Sequence, residues 1–417
     1  MKALVMERNV VRFAASRLLS ELGSGRGARF APLRLIDAEP PELPDGSWHR
    51  VAPVLSGICG SDLATIDGRS SRYFEPLVSF PFVPGHEVVG KLEADAPCAT
   101  GGVLAAGTRV VVQPVLGCTV RGLEPRCEPC VRGATGNCEH TTLGAVAAGI
   151  QTGYCADTGG GWSAAGLVAH ESQIYEVPAA MSDADAVTVE PLACAVHAAL
   201  QAELAEGSLI AVLGAGTLGL ALVAAISHLC ARGLAGQPAS LLVGARYPTQ
   251  RALAKELGAT SVLSEDQLAR AVRRHSSSMA RSIAISPSLC GGADVVFDCV
   301  GSAQSIQSAL SIVRPRGTLV LVGMPGRLAV DLAPLWHREV RLLGAYAYGT
   351  ETLPTGARPT FSLAMEVAAA KSTGRLVTTT YPLDRFEEAL AHAGSAGRRG
   401  AVKIAFDVGA SAGGRRR

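Results

Sequence analysis

Neither sign of charge is in excess in this chain. Its 38 Lys and Arg face 36 Asp and Glu, for a net charge of +2, so no general electrostatic footprint for nucleic acid is present. Charge is also sparse, at 18%, whereas 48% of residues are hydrophobic, which excludes a disordered chain. No basic, apolar and small-residue leader is expected either, because Lys2, Glu7, Arg8 and Arg12 interrupt the N-terminus. The expected compartment is a reducing cytoplasm. There the 11 cysteines serve as metal ligands, reactive groups or small core residues in preference to disulfide partners. A length of 417 residues accommodates two or three domains, each with its own core.

The segment from Gly207 to Cys230 lacks Lys, Arg, Asp and Glu altogether and is long enough to be mistaken for a membrane span. Its glycines point elsewhere: Ser208 to Leu213 reads as a buried strand, Gly214 to Gly219 as a tight turn, and Thr217 onward as an apolar helix to about Ala231. No membrane partner is expected.

Residues 1–187 carry short β-type runs between Gly, Pro, Asp and Ser, including Thr108 to Gln113. From about 188 strands alternate with helices: strands at Leu209–Leu213, Leu241–Ala245, Asp294–Asp298 and Thr318–Val322, with helices around Arg251–Leu257 and Ala303–Ile312. That order predicts an α/β unit with a parallel sheet and helices on both faces. Past Gly344 helices near Ser362–Ala370 and Phe386–Ala393 precede a strand at Ala401–Phe406, and 347–417 is expected to rejoin the first domain. Ala15 to Ala28 reads as a surface helix and loop without chemistry, and the final Gly-Gly-Arg-Arg-Arg as a frayed tail.

Three constellations carry chemistry. Cys118, Cys127, Cys130 and Cys138 lie among Gly, Pro and Arg, and four thiolates can close a tetrahedral shell around Zn²⁺ with no position left for water. Scattered core cysteines or an iron-sulfur cluster are the other readings of this set. The second set is Cys59 in Gly57-Ile-Cys-Gly-Ser-Asp62, His86 and Glu87 in Pro84-Gly-His-Glu-Val-Val-Gly90, and Glu190 in Val189-Glu-Pro-Leu-Ala-Cys194. One Cys, one His and one carboxylate would hold zinc with a fourth position open, as catalysis requires. His197 and Cys194 are expected to pack or cap. The third is Gly214-Ala-Gly216-Thr217-Leu218-Gly219 between a strand and a helix, where a dinucleotide pyrophosphate can rest on free N–H groups.

Together these residues resemble the zinc-dependent medium-chain dehydrogenase/reductase family, the alcohol, sorbitol and threonine dehydrogenase-like enzymes. The resemblance runs from Lys2-Ala-Leu-Val5 through each motif to Val296-Phe-Asp-Cys-Val-Gly301 and Gly400-Ala-Val-Lys-Ile404. It implies a GroES-like, mainly β catalytic domain (1–187 and 347–417) with a zinc lobe at about 117–140, and a doubly wound Rossmann domain (188–346). It carries Cys59, His86 and Glu190 onto a catalytic zinc, the four clustered cysteines onto a structural zinc, and Ser61 onto the proton-relay hydroxyl. Glu87 matches a carboxylate that in relatives lies beside the metal or moves onto it, and Asp62 a partner that orients the histidine. Two departures stand out. Eight residues separate Cys118 from Cys127 where the common pattern has two, and Ala64 stands where many relatives carry a relay histidine.

The implied reaction is hydride transfer between an alcohol, polyol or sugar-like substrate and a nicotinamide cofactor, with two zinc ions per chain and a homodimer or homotetramer as the assembly. The alternatives are a carbonyl or alkene reductase of the same fold and a non-enzymatic zinc-stabilised binding protein. NADP is expected over NAD, because no acid occurs between Gly219 and Glu256. By the family's spacing Ala245 takes the position of the ribose-binding acid, with Arg246 beside it and Arg251 one turn on, suited to a 2′-phosphate. Solvated surface arginines are the plainer reading.

Overall fold

The computed structural model describes residues 1–23, 25, 27–281 and 288–409, so the Arg-rich tail lies outside the described residues. The chain divides into two compact units, one comprising Met1–Glu190, Tyr348–Thr350 and the residues from Ser372 onward, the other Pro191–Ala347 and Glu351–Lys371.

The first unit is built on a seven-stranded sheet. Its order is Val377–Tyr381, Lys403–Asp407, Trp48–Gly57, Val88–Leu92, Arg109–Val112 and Ile174–Glu176, with Leu167–His170 also paired to the long Trp48 strand. All pairings are antiparallel except that of the first two strands. Val51, Val88, Val110, Val112 and Leu167 fill one core, as alternating β-branched positions on a half-buried sheet require. Two helices matter for the site. Helix α1 (Val10–Ser20) interrupts the hairpin of Lys2–Met6 and Leu33–Asp37; Asn9 caps it, its side chain accepting from Arg12 N–H at 3.0 Å. Helix α2 (Gly60–Ile66) follows the Trp48 strand directly.

The surface helix expected at 15–28 is present and largely exposed, but its bounds differ and two of its serines are buried. α1 begins five residues earlier, at Val10, and buries Ser16 and Ser20. Ser16 Oγ lies 2.7 Å from the carbonyl of Ile66 and 3.2 Å from that of Gly27, while Gly25 N–H donates to the buried Asp67 carboxylate. Small hydroxyl residues in a helix disguise a buried face, because they satisfy a neighbour's carbonyl where an apolar residue would pack.

The second unit is a six-stranded parallel sheet in the order Ser261–Leu263, Ser240–Gly244, Leu209–Leu213, Ala293–Asp298, Val313–Leu321 and Arg341–Gly344. Numbered along the chain this is 3-2-1-4-5-6, the doubly wound Rossmann order. The charge-free segment is strand Leu209–Leu213 and helix α3 (Thr217–Ala231), which is buried on nearly every side, and among the described residues no helix is long and apolar enough to cross a membrane. One division differs from the sequence expectation. Helix α4 (Thr360–Lys371), expected to return to the first domain, packs on α3 in the second unit, where Lys371 donates to Ser227 at 2.8 Å. Phe361, Leu363, Ala364, Val367 and Ala368 are buried, so proximity in sequence to the last strands yields to an apolar face that α3 can cover.

Candidate functional site

The four clustered cysteines meet. Their sulfurs all lie within 4.8 Å of one another, with Cys118 3.5 Å from Cys127 and 3.6 Å from Cys138, and Cys127 3.9 Å from Cys138. None forms a disulfide. A tetrahedron with Zn–S arms of about 2.3 Å has edges of about 3.8 Å, so the sulfur set fits a zinc ion. Backbone N–H groups of Cys118, Cys127 and His140 point at the sulfurs at 3.4 to 3.5 Å, as suits thiolates. Burial pushes the Cys130 thiol up and the Cys138 thiol to about 11; burial acts on Cys127 the same way, but backbone hydrogen bonds outweigh it and bring that thiol down to about 7. A cation held by the sulfurs would favour their thiolate form.

The long spacer does not displace Cys118, and the reason is Arg121, which sequence reasoning missed. This arginine is fully buried and donates to five backbone carbonyls: Leu116 (3.1 Å), Leu143 (2.7 Å), Val146 (3.0 Å), Ala147 (3.2 Å) and Gly149 (2.6 Å). Arg121, itself one of the spacer residues, thus ties the spacer to the carbonyls of 143–149 and of Leu116 ahead of Cys118. The spacer holds two arginines, Arg121 and Arg126, and only Arg121 has apolar and glycine neighbours on both sides, which was the available signal.

Cys59, His86 and Glu87 also gather, with one ligand atom each within 4.8 Å of the others. Cys59 is the cap of α2, and His86 and Glu87 precede strand Val88–Leu92. Asp62, buried on α2, accepts the Cys59 N–H through Oδ2 at 2.9 Å and lies 3.5 Å from His86 Nδ1 through Oδ1. His86 is desolvated, yet Asp62 outweighs that and raises its pKa well above 6.5. With Nδ1 turned to Asp62, Nε2 is the nitrogen left for a cation.

Glu190 stands apart from this trio, although it is close enough for His86 and Glu87 to bear on its ionisation. It is buried and accepts the Tyr348 phenol at 3.0 Å; burial pushes its carboxyl up to about 7. Glu87 is instead paired with the buried Lys403, which retains its charge because Glu87 offsets the desolvation. Gly57 makes this pair possible, since a Cβ there would fall 1.8 Å from Glu87 Oε2. Ser61 is half-buried and its hydroxyl faces the Tyr154 phenol. Tyr348 and Lys403 escaped the sequence reading, but Lys403 left a signal: it is the one charge between Ala401 and Phe406, in a strand.

In the second unit the three glycines have distinct tasks. Gly214 sits at φ +90° and ends the strand; a Cβ on Gly219 would lie 2.0 Å from Gly214 O, so that position packs helix α3 against the turn; Gly216, the cap of α3, faces open space. A cradle that only glycine leaves this open fits a pyrophosphate at the helix N-terminus beside Thr217 and Leu218. Ala245 is fully buried. Arg246 donates to Glu265 at 2.7 Å, and Arg251 holds the carbonyls of Ala245 and Arg246 at 2.9 and 3.2 Å. His197 pairs with Glu351 at 2.8 Å.

Residues 46–179 match the alcohol dehydrogenase GroES-like domain and residues 225–368 the zinc-binding dehydrogenase family. The L-idonate 5-dehydrogenase of Vitis vinifera is 30% identical over 296 residues, 70% of this chain and 71% of that protein. This chain belongs to the zinc-dependent medium-chain dehydrogenase family. It is an enzyme, an oxidoreductase of that type, with a GroES-like domain and a Rossmann domain. Sorbitol dehydrogenase of Bacillus subtilis is 27% identical over 344 residues, 81% of this chain and 84% of that protein. Galactitol-1-phosphate dehydrogenase of Escherichia coli shares the fold, with a TM-score of 0.68 at 20% identity, covering 98% of this chain and 100% of that one.

Proposed function

We propose that this enzyme interconverts a polyol or sugar-like secondary alcohol and its carbonyl compound, with NADP(H) as the redox partner. The observation that carries this reading is the gathering of Cys59 and His86 with the buried carboxylate of Glu87 in one unit, together with the open glycine cradle in the other. Cys59, His86 and Glu190 would hold the catalytic zinc. Glu87, tied to Lys403, stays beside it as a neutralised carboxylate, which leaves Glu190 to complete the ligand set. Cys118, Cys127, Cys130 and Cys138 would hold a second, structural zinc, and Gly214, Gly216, Thr217, Leu218 and Gly219 the pyrophosphate.

When bound, the metal supplies Lewis acidity toward an alkoxide or carbonyl oxygen, and the nicotinamide accepts or returns the hydride. The chain's own residues manage the proton. In oxidation the substrate C–H leaves with its electron pair and the O–H proton passes to Ser61, a contribution on the order of 10²- to 10⁴-fold. Ala64 cannot carry it onward, so the route from Ser61 runs by a ribose hydroxyl, Glu87 or water. Asp62 keeps His86 in one tautomer throughout. The polyol class is supported by relatives named for sorbitol and L-idonate. NADP(H) is supported by Ala245 in the acid's place and by Arg246, whose present partner Glu265 is half-exposed and replaceable by a phosphate.

The test is nicotinamide absorbance with a panel of polyols, secondary alcohols and aryl alcohols, each with NADP and with NAD, before and after chelation. Turnover of a polyol with NADP that chelation abolishes supports the reading. Activity confined to carbonyl reduction, or insensitive to chelation, overturns it.

A further inference from the structure

Tyr154 has no place in the mechanism above, yet it touches the same machinery. Its ring is buried between Phe82 (centroids 5.3 Å apart, planes at 37°) and His86 (5.8 Å, 39°). Its hydroxyl donates to Asp62 Oδ1 at 3.3 Å. Leu4, Met6, Ile58, Leu63 and Ile66 share this apolar cluster, where a phenylalanine would pack as well. A buried phenol needs partners, and here the Ser61 and Thr65 hydroxyls face it while it donates to the carboxylate that addresses both Cys59 and His86.

We infer that Tyr154 is a positioning residue for the metal-binding histidine, acting through Asp62. This rests on the proposal that Cys59 and His86 hold zinc. An aspartate has two side-chain torsions. The Cys59 N–H fixes one oxygen of Asp62, but that alone leaves the carboxylate plane free to turn about the bond. The Tyr154 hydroxyl fixes the second oxygen, the one 3.5 Å from His86 Nδ1, and so sets the direction from which the imidazole is held. The ring in turn cannot swing. Phe82 contacts Phe80 at 5.1 Å and Phe80 meets Phe13 edge-on at 6.4 Å, so an aromatic file runs from α1 to His86. Ser16 on the same helix donates to Ile66 at the end of α2, so α1 supports both the tyrosine and the helix that carries its aspartate.

Tyr154→Phe keeps the ring and removes only the hydroxyl. In the purified holoenzyme, zinc affinity at the more labile site is measured by competition with a chelator. The visible spectrum is recorded after cobalt exchange into that site, alongside kcat, KM and the thermal melt. Groups that orient metal ligands typically carry about 10- to 100-fold in affinity or activity, and this hydroxyl, one bond further removed, is expected at about the 10-fold end. The cobalt bands should shift, kcat should fall more than KM rises, and the four-cysteine zinc and the melt should stay as in the wild type. In an Asp62→Asn background, removing the hydroxyl should add nothing further. A Tyr154→Phe enzyme with wild-type zinc affinity and cobalt spectrum, or effects that add in the double variant, overturns the inference while leaving the zinc assignment intact. A wild type without metal at Cys59 and His86 overturns both.

Discussion

Arg121 offers a sharp test of how the cysteine lobe is held, because one side chain donates to five carbonyls. In Arg121→Met the hydrophobic stem survives while all five donors vanish, leaving the carbonyls of Leu116, Leu143, Val146, Ala147 and Gly149 without them. Hydrogen bonds to a charged group contribute ~1.5–3 kcal/mol each, so a plain sum of five reaches ~7–15 kcal/mol. That equals the whole stability of an ordinary domain, about 5–15 kcal/mol, so the sum overshoots and the lobe must relax by local opening instead. Breaking a buried charged cluster typically costs ~3–5 kcal/mol. At roughly 2–4 °C per kcal/mol for units of this size, the melting temperature should fall by ~6–20 °C. Opening the lobe also exposes the sulfurs, so the four-cysteine zinc should pass to a chromogenic chelator at least tenfold faster than in the wild type. Calorimetry and a zinc-release time course read both. A variant that melts within ~2 °C of the wild type and releases zinc no faster would show that the guanidinium fills space without organising the spacer.

Three further outcomes follow from the geometry. Ser61→Ala should lower turnover by ~10²- to 10⁴-fold with zinc content and melting temperature unchanged, and a pre-steady-state hydride-transfer rate equal to wild type would refute the relay role. Gly219→Ala should destabilise the second unit, since its Cβ meets Gly214 O at 2.0 Å, whereas Gly216→Val should leave the melt alone and raise the dinucleotide KM; the reverse ranking would misplace the cradle. Arg246→Ala should shift the kcat/KM ratio toward NAD, by about 1.4 kcal/mol per tenfold, and Glu265→Gln should shift it toward NADP by freeing that arginine. A ratio that neither substitution moves would leave the cofactor choice to other residues.

The parallel sheet of the second unit with its four central strands, the strand-turn-helix at Leu209–Ala231 and the meeting of the four cysteines were legible because apolar period, glycine placement and ligand type all point the same way. The edge strands Ser261–Leu263 and Arg341–Gly344 were not, being three and four residues long and without a clear alternation of burial. α1 was shifted because serines stand on its buried face. The grouping of Cys59 and His86 with Glu87 could not be read from spacing, since whether Glu87 or Glu190 approaches depends on Lys403, more than 300 residues away in the chain. Arg121 and Tyr154 were missed for the same physical reason. Each acts through hydrogen bonds to groups that no linear pattern announces.

Whether the chain holds two zinc ions with different duties is decided by counting metal. Elemental analysis of the wild type, Cys59→Ser and Cys130→Ser should give two, one and one zinc per chain. The single zinc of Cys59→Ser should remain in a protein that melts normally and turns over no substrate, whereas Cys130→Ser should lose stability first. One zinc in the wild type that survives loss of Cys130 but vanishes with Cys59 would contradict the account.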